Sequence, residues 1–154
     1  MHEDCSQKCE EEAQRIKELY GSLLSQSWVN QEGESQEISE ADILVVSPYN
    51  MQVNLLKSVL PDGARVGTVD TFQGQEAAVV LISMTASTAE DIPRGIEFLY
   101  SRNRLNVAIS RAQCLAVVVA SPKLLEAPCN TIEQMKLVNT LCFVKAYADT
   151  LERA

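Results

Sequence analysis

Val66 to Glu76 reads VGTVDTFQGQE, and the way this stretch changes character along its length decides the fold. A short β-branched strand, expected over Arg65 to Val69, runs into polar Asp70, Thr71 and Gln73. The chain turns at Gly74 and delivers a carboxylate, Glu76, before a second apolar strand begins at Ala77. Such a pattern marks a strand end rather than a core. In an open parallel sheet ligands sit outside the carboxyl ends of the strands, so polar residues there can face a phosphate, a sugar or a nucleic acid strand. Further on, Leu105 to Ala112 reads LNVAISRA and supplies Arg111, a positive charge where an anion site needs one.

Outward from this stretch, strands and helices alternate. Residues 8 to 27 read as an amphipathic helix, with Ala13, Ile16, Leu19, Tyr20, Leu23 and Leu24 at helical spacing. Residues 30 to 40, NQEGESQEISE, read as a polar connection. A strand is expected over Ile43 to Ser47, a turn at Pro48, a helix over Met51 to Leu60 and a turn at Pro61-Asp62-Gly63. After Arg65 to Val69 come a strand over Ala77 to Thr85, a loop over Ala86 to Pro93, and helical material across Ile96 to Arg111. A strand over Leu115 to Ala120 and a helix from Thr131 to Leu151 close the chain. The uninterrupted runs ILVV, AVVLI and LAVVVA predict strands buried on both faces, and their alternation with helices predicts a parallel α/β sheet.

With 154 residues, the chain is sized for one domain that buries about 68–70% of its unfolded surface. No apolar run approaches the ~18 residues that span a bilayer, and the acidic start MHEDCSQKCEEE is unlike a signal peptide. A cytoplasmic protein with no membrane partner is expected. The five cysteines are an odd number without paired metal-ligand spacing, so reduced thiols and no zinc are expected. The formal charge of -8 argues against a nucleic acid partner until its distribution is considered. Residues 1–42 hold eleven acidic and three basic side chains, whereas residues 43–154 hold ten of each. Within the neutral part, Arg94, Arg102, Arg104 and Arg111 face a single nearby acid, Glu97.

Three segments, ILVVSPYNMQVNLL, VGTVDTFQGQEAAVVLISM and SRNRLNVAISRA, resemble in order and spacing motifs IV, V and VI of superfamily 1B helicases. The resemblance is to the branch that includes the nonsense-mediated-decay helicases and the immunoglobulin mu-binding helicase. VDTFQGQE and NVAISRA also resemble the helicase part of bacterial proteins that fuse such a motor to a RecB-like nuclease. The resemblance implies a single RecA-like, P-loop NTPase-type α/β domain over residues 41–154, preceded by an acidic helix and connector over residues 1–40. It implies the second motor domain of an ATP-dependent helicase, working with ATP and Mg2+, with the first RecA-like domain of the same parent chain, and with single-stranded DNA or RNA. The nuclease-fusion likeness leans to DNA, and the family implies 5′ to 3′ movement.

The same resemblance assigns residues. Arg111 matches the motif VI arginine that reaches the γ-phosphate, a role that contributes about 10³ to 10⁵ in rate. Glu76 matches the motif V acid that accepts from the ribose hydroxyls, on a loop shaped by Gln73 and Gly74. Tyr49 and Gln52 match motif IV positions near the nucleotide. Val53 stands where some members carry a second phosphate-reaching arginine, which Arg104 could replace. Thr68, Asp70 and Thr71 lie where motif V touches the translocated strand, since hydroxyls and backbone amides hold phosphates without reading sequence. Ser110 joins that nucleic-acid group from motif VI, with packing as its competing role. No GxxxxGK[ST] occurs, so a phosphate-cradling loop and the metal-holding acids are expected from the first domain, and this segment alone is expected to be inactive. The competing reading is a non-catalytic nucleic-acid-binding or helicase-regulating module of the same fold.

Overall fold

The structure is a computed structural model that describes residues 8–85 and 102–151. The expected loop over 86–93, Arg94, Glu97 and the first part of the helix expected from Ile96 lie outside the described residues. Helix α1 (Glu10–Leu23) starts after Cys9 with three glutamates in its first turn, where carboxylates complement the positive end of a helix. It buries Ala13, Ile16 and Tyr20 along one stripe, and Glu12 lies on the same stripe. The helix ends four residues earlier than its apolar spacing predicts. Strands β1 (Ser27–Val29) and β2 (Ser35–Glu37) follow as an antiparallel hairpin, with β1 at the end of the expected helix and β2 inside the connection expected over residues 30–40. The turn is built by Asn30, whose Oδ1 accepts from the N–H groups of Glu32 and Glu34 at 3.0 and 2.9 Å. Nearly every side chain in this hairpin is exposed, so no apolar alternation announces it.

The main sheet comprises β3 (Ile43–Val46), β4 (Arg65–Gly67), β5 (Ala77–Ser83) and β6 (Ala112–Val119), in the order β4-β3-β5-β6 with every pairing parallel. Helix α2 (Asn50–Val59) links β3 to β4, α3 (Arg102–Ser110) leads into β6, and α4 (Ile132–Leu151) closes the described chain. Because β side chains alternate, the continuous apolar runs divide between two faces. Ile43, Val45, Val79 and Leu81 pack against α1 and α2, through Ile16, Tyr20 and Leu56. Leu44, Val46, Val80 and Ile82 pack against α3, α4 and the short helical turn Pro122–Glu126, through Leu105, Ala108, Leu124, Val138 and Leu141. Each fully buried Leu or Ile of these layers contributes about 1.5–3 kcal/mol relative to exposure.

One strand departs from expectation. LAVVVA, read as buried on both faces, belongs to the edge strand β6, which pairs only with β5 among the described strands. Leu115 is exposed there, and an open, largely apolar cavity of about 510 Å³ separates β6 from α4. The run of β-branched residues specifies a strand, but composition alone does not tell a central strand from an edge one. Parallel strands with helices on both faces make this a RecA-like α/β fold. Among the described residues no helix is long and apolar enough to cross a membrane.

Candidate nucleotide and nucleic-acid edges

At the carboxyl end of β4 the chain closes a single helical turn, Val69–Phe72. The Thr68 N–H donates to Thr71 Oγ1 at 3.2 Å, the Thr71 N–H donates to the Thr68 carbonyl at 3.0 Å, and the two hydroxyls meet at 3.1 Å. Gly67 permits this tightness, because a Cβ there would lie 2.9 Å from the Thr71 side chain. Asp70 projects from the turn into solvent, with Arg104 Nη2 of α3 at 4.0 Å from its carboxylate. Phe72 is buried beneath the Arg65 guanidinium, which sits 5.9 Å from the ring centroid. That guanidinium also donates to the Ala41 carbonyl and to Gln75 Oε1, both at 2.6 Å.

The connection then runs back along the sheet. Gly74 has φ +76°, a left-handed conformation that glycine adopts without a Cβ penalty. Glu76 is reached immediately before β5, so it stands at the amino end of that strand. Arg111 stands at the amino end of β6, and the Ala77 N–H donates to its carbonyl at 3.0 Å. This bond makes Glu76 and Arg111 neighbours in space although 34 residues separate them in sequence. Gln113 Nε2 donates to Glu76 Oε2 at 3.1 Å. Arg111 is half-buried, and its Nε is buried without a hydrogen-bond partner among the described residues. Exposed Ser110 turns its hydroxyl back onto the Val107 carbonyl at 2.9 Å.

The expectation of one site at the carboxyl ends of the strands therefore needs correction. Thr68, Asp70, Thr71 and Arg104 gather near the carboxyl edge, together with Tyr49, which caps α2 after β3. Glu76, Ser110 and Arg111 gather at the amino edge. Seven residues of β5 separate the two, roughly 20 Å at about 3.3 Å per residue. Parallel strands require this: a link from the end of one strand to the start of the next must cross the sheet, so a motif spanning the link has one foot on each edge. Arg104 consequently lies with Asp70 and away from Arg111. A small cavity of about 20 Å³ lies beside it, lined by Val46, Pro48, Val69, Ile82, Met84, Arg104, Leu105 and Ala108.

Gln52 has a structural place. It is fully buried, its Nε2 donates to the Cys9 carbonyl at 3.0 Å and to Ser83 Oγ at 3.1 Å, and its Oε1 accepts from the Cys9 N–H at 2.7 Å. Both amide hydrogens and the carbonyl oxygen are thus engaged within the fold. Ser83 in turn donates to Glu12 Oε2 at 2.6 Å. Sequence reading passed over Glu12, although a carboxylate four residues before Ile16 and eight before Tyr20 sits on the buried stripe of α1. Burial raises the Glu12 carboxyl to about 7, opposed by the hydrogen bonds from Ser83, Thr85 and Met84. Among the described residues no group of three or more His, Cys, Asp or Glu could hold a metal ion.

A RecA-like sheet together with the following similarities defines a superfamily 1 helicase-like domain. A family model described as AAA domain matches residues 1–123, and the chain belongs to that family. It is 39% identical over 103 residues to human RNA helicase Mov10l1, covering 62% of this chain and 8% of that protein. It is 34% identical over 99 residues to the probable RNA helicase armi of Drosophila melanogaster, covering 57% of this chain and 8% of that one. With DNA polymerase alpha-associated DNA helicase A of Saccharomyces cerevisiae it shares 36% identity over 97 residues, covering 60% of this chain and 14% of that protein. The matched part is thus a small fraction of each relative's length.

Proposed function

We propose that this chain is the second motor domain of an ATP-dependent helicase, with its two jobs divided between the two edges of the sheet. The amino edge faces nucleotide, held jointly with another RecA-like domain of the parent chain. The observation that supports this reading is the Ala77–Arg111 backbone bond, which joins the residue after the motif V acid to the backbone of the motif VI arginine. A half-buried guanidinium whose Nε has no hydrogen-bond partner among the described residues suits an anion, and a solvent-facing carboxylate suits a pair of ribose hydroxyls. ATP with Mg2+, when bound, would supply the phosphoryl group and neutralise part of its charge. In this chain Arg111 orients toward the terminal phosphate and offsets the charge that grows there, while Glu76 fixes the sugar.

The carboxyl edge holds a single strand. Thr68 and Thr71 offer hydroxyls for phosphates, and Arg104 balances Asp70 so that the edge does not repel them. These contacts do not read a base, which agrees with relatives named as RNA helicases and as a DNA helicase. Tyr49 and Gln52 are assigned to the framework beneath this edge and not to the nucleotide.

The test is strand-stimulated ATP hydrolysis by the full parent chain. Arg111→Ala is expected to lower kcat by about 10³-fold with strand affinity retained. Thr68→Ala combined with Thr71→Ala is expected to raise the strand concentration for half-maximal stimulation by about tenfold, with kcat at saturating strand retained. If both variants change both quantities together, the division between edges is wrong. Strand binding by wild type without hydrolysis would favour the non-catalytic module.

A further inference from the structure

A buried set of hydrogen bonds joins α1 to the carboxyl ends of β3, β4 and β5, and the nucleotide and strand contacts proposed above make no use of it. Glu12 is 2% exposed, and its Oε2 accepts from Ser83 Oγ at 2.6 Å and from the Thr85 N–H at 2.9 Å. Gln52 anchors the same helix start by clasping both backbone groups of Cys9. Thr85 has φ +74°, and no other described non-glycine residue has a positive φ. A β-branched residue holds that conformation only where its surroundings over-determine it. Here the Glu12 carboxylate fixes its N–H, and its hydroxyl meets Ser47 Oγ at 3.1 Å. Ser47 then donates its N–H to the Gly67 carbonyl at 3.1 Å, one residue before Thr68.

Apolar side chains would seal this face as well. A buried carboxylate costs desolvation, and what it provides in exchange is direction: each bond fixes one atom of a strand end relative to the helix. The bonds lead step by step from α1 to the turn that presents Thr68 and Thr71.

We propose that Glu12 is a positioning residue for strand binding: from α1 it pins the end of β5 at Thr85, and through Ser47 and Gly67 this pin sets the turn carrying Thr68 and Thr71. The proposal rests on the reading of those two threonines as strand contacts. The raised Glu12 carboxyl fits a group held for its geometry and not for its charge.

The test measures binding of fluorescein-labelled oligouridine and oligothymidine to the full parent chain, alongside the KM for ATP. Glu12→Ala is expected to weaken strand Kd by about tenfold while leaving the KM for ATP within about twofold. Glu12→Gln, whose amide oxygen can still accept from the Thr85 N–H, is expected to restore most of the affinity. A folded Glu12→Ala with wild-type strand Kd overturns the proposal. Where Glu12→Ala does not fold, Thr85→Ala removes the hydroxyl that reaches Ser47 together with the γ-methyl and leaves the Thr85 N–H bond to Glu12, and an unchanged strand Kd in that variant overturns it equally. Should Thr68→Ala with Thr71→Ala leave strand binding intact, the underlying assignment of the threonines fails. If those changes weaken binding and Glu12→Ala does not, the pin alone fails.

Discussion

At the carboxyl edge, hydroxyls from three strand ends bond to one another and to a buried carboxylate, whereas at the amino edge the charged groups are loosely tied. Thr68 pairs with Thr71, Ser47 with Thr85, and Ser83 with Glu12. Arg111, by contrast, keeps a buried Nε without a partner among the described residues, and Glu76 receives a bond from the side chain of Gln113. A surface that holds a strand by its phosphates needs donors already fixed in place, because ordering them on binding costs free energy. An edge that completes a shared site is electrostatically unfinished until its counterpart arrives. On the proposed reading the same four strands would serve two kinds of recognition, one pre-organised and one complementary.

The largest effect on stability expected from this contrast is a pH dependence confined to the carboxyl side. Burial, with a smaller contribution from neighbouring Glu11, raises the Glu12 carboxyl from 4.5 to about 7. Between those values the folded chain binds a proton that the unfolded chain has released. Its contribution to stability is therefore greatest below about pH 4.5, falls as pH rises toward 7, and stays level above that. A shift of this size corresponds to about 3 kcal/mol across the window. Urea midpoints of this chain at pH 5 and pH 7.5 should differ by more in wild type than in Glu12→Gln. Equal slopes in the two would remove Glu12 as the titrating group.

Next in size is Gly67→Ala. The added Cβ meets the Thr71 side chain at 2.9 Å, so the Thr68–Thr71 turn must open or β4 must shift. Overpacking of this kind costs about 1–3 kcal/mol. Denaturation should show the loss, and strand affinity should fall with it, while the KM for ATP stays near wild type because Glu76 and Arg111 are fixed from β5 and β6. A matching rise in that KM would mean the two edges are coupled more tightly than their separation implies.

How much of this could be read from sequence depended on whether the signal was periodic. The runs ILVV and AVVLI identified central strands, and the helical reading that ends at Arg111 matches α3 over Arg102–Ser110. The hairpin Ser27–Glu37 was missed because its side chains face water and its turn is held by one asparagine. The carboxyl-edge network was missed for a different reason. Ser47, Ser83 and Thr85 are ordinary residues after apolar runs, and only the three-dimensional meeting of strand ends with α1 gives them partners. Gln52 was placed near the nucleotide by motif position, yet its burial depends on bonds to Cys9 at the start of α1, 43 residues earlier in the chain. The opposed edges follow from parallel topology, which the alternation of strands and helices already implied.

The smallest effects on stability should come from the amino edge. Glu76 is exposed, so removing its carboxylate leaves little buried surface unsatisfied, and Glu76→Ala should leave the unfolding midpoint of the chain nearly unchanged. Its cost should appear only with nucleotide present, as a rise of about tenfold in the KM for ATP, the size expected when a charged acceptor for ribose hydroxyls is lost. Gln113→Ala removes the side chain that steadies this carboxylate and should raise the same KM by only about twofold, since the acceptor itself remains. Replacing ATP by 2′-deoxy-ATP separates the two. If Glu76 accepts from the sugar, the analogue should cost wild type and Gln113→Ala several-fold but Glu76→Ala almost nothing. An equal penalty in all three would place the ribose elsewhere and leave Arg111 as the only nucleotide-facing group on this edge.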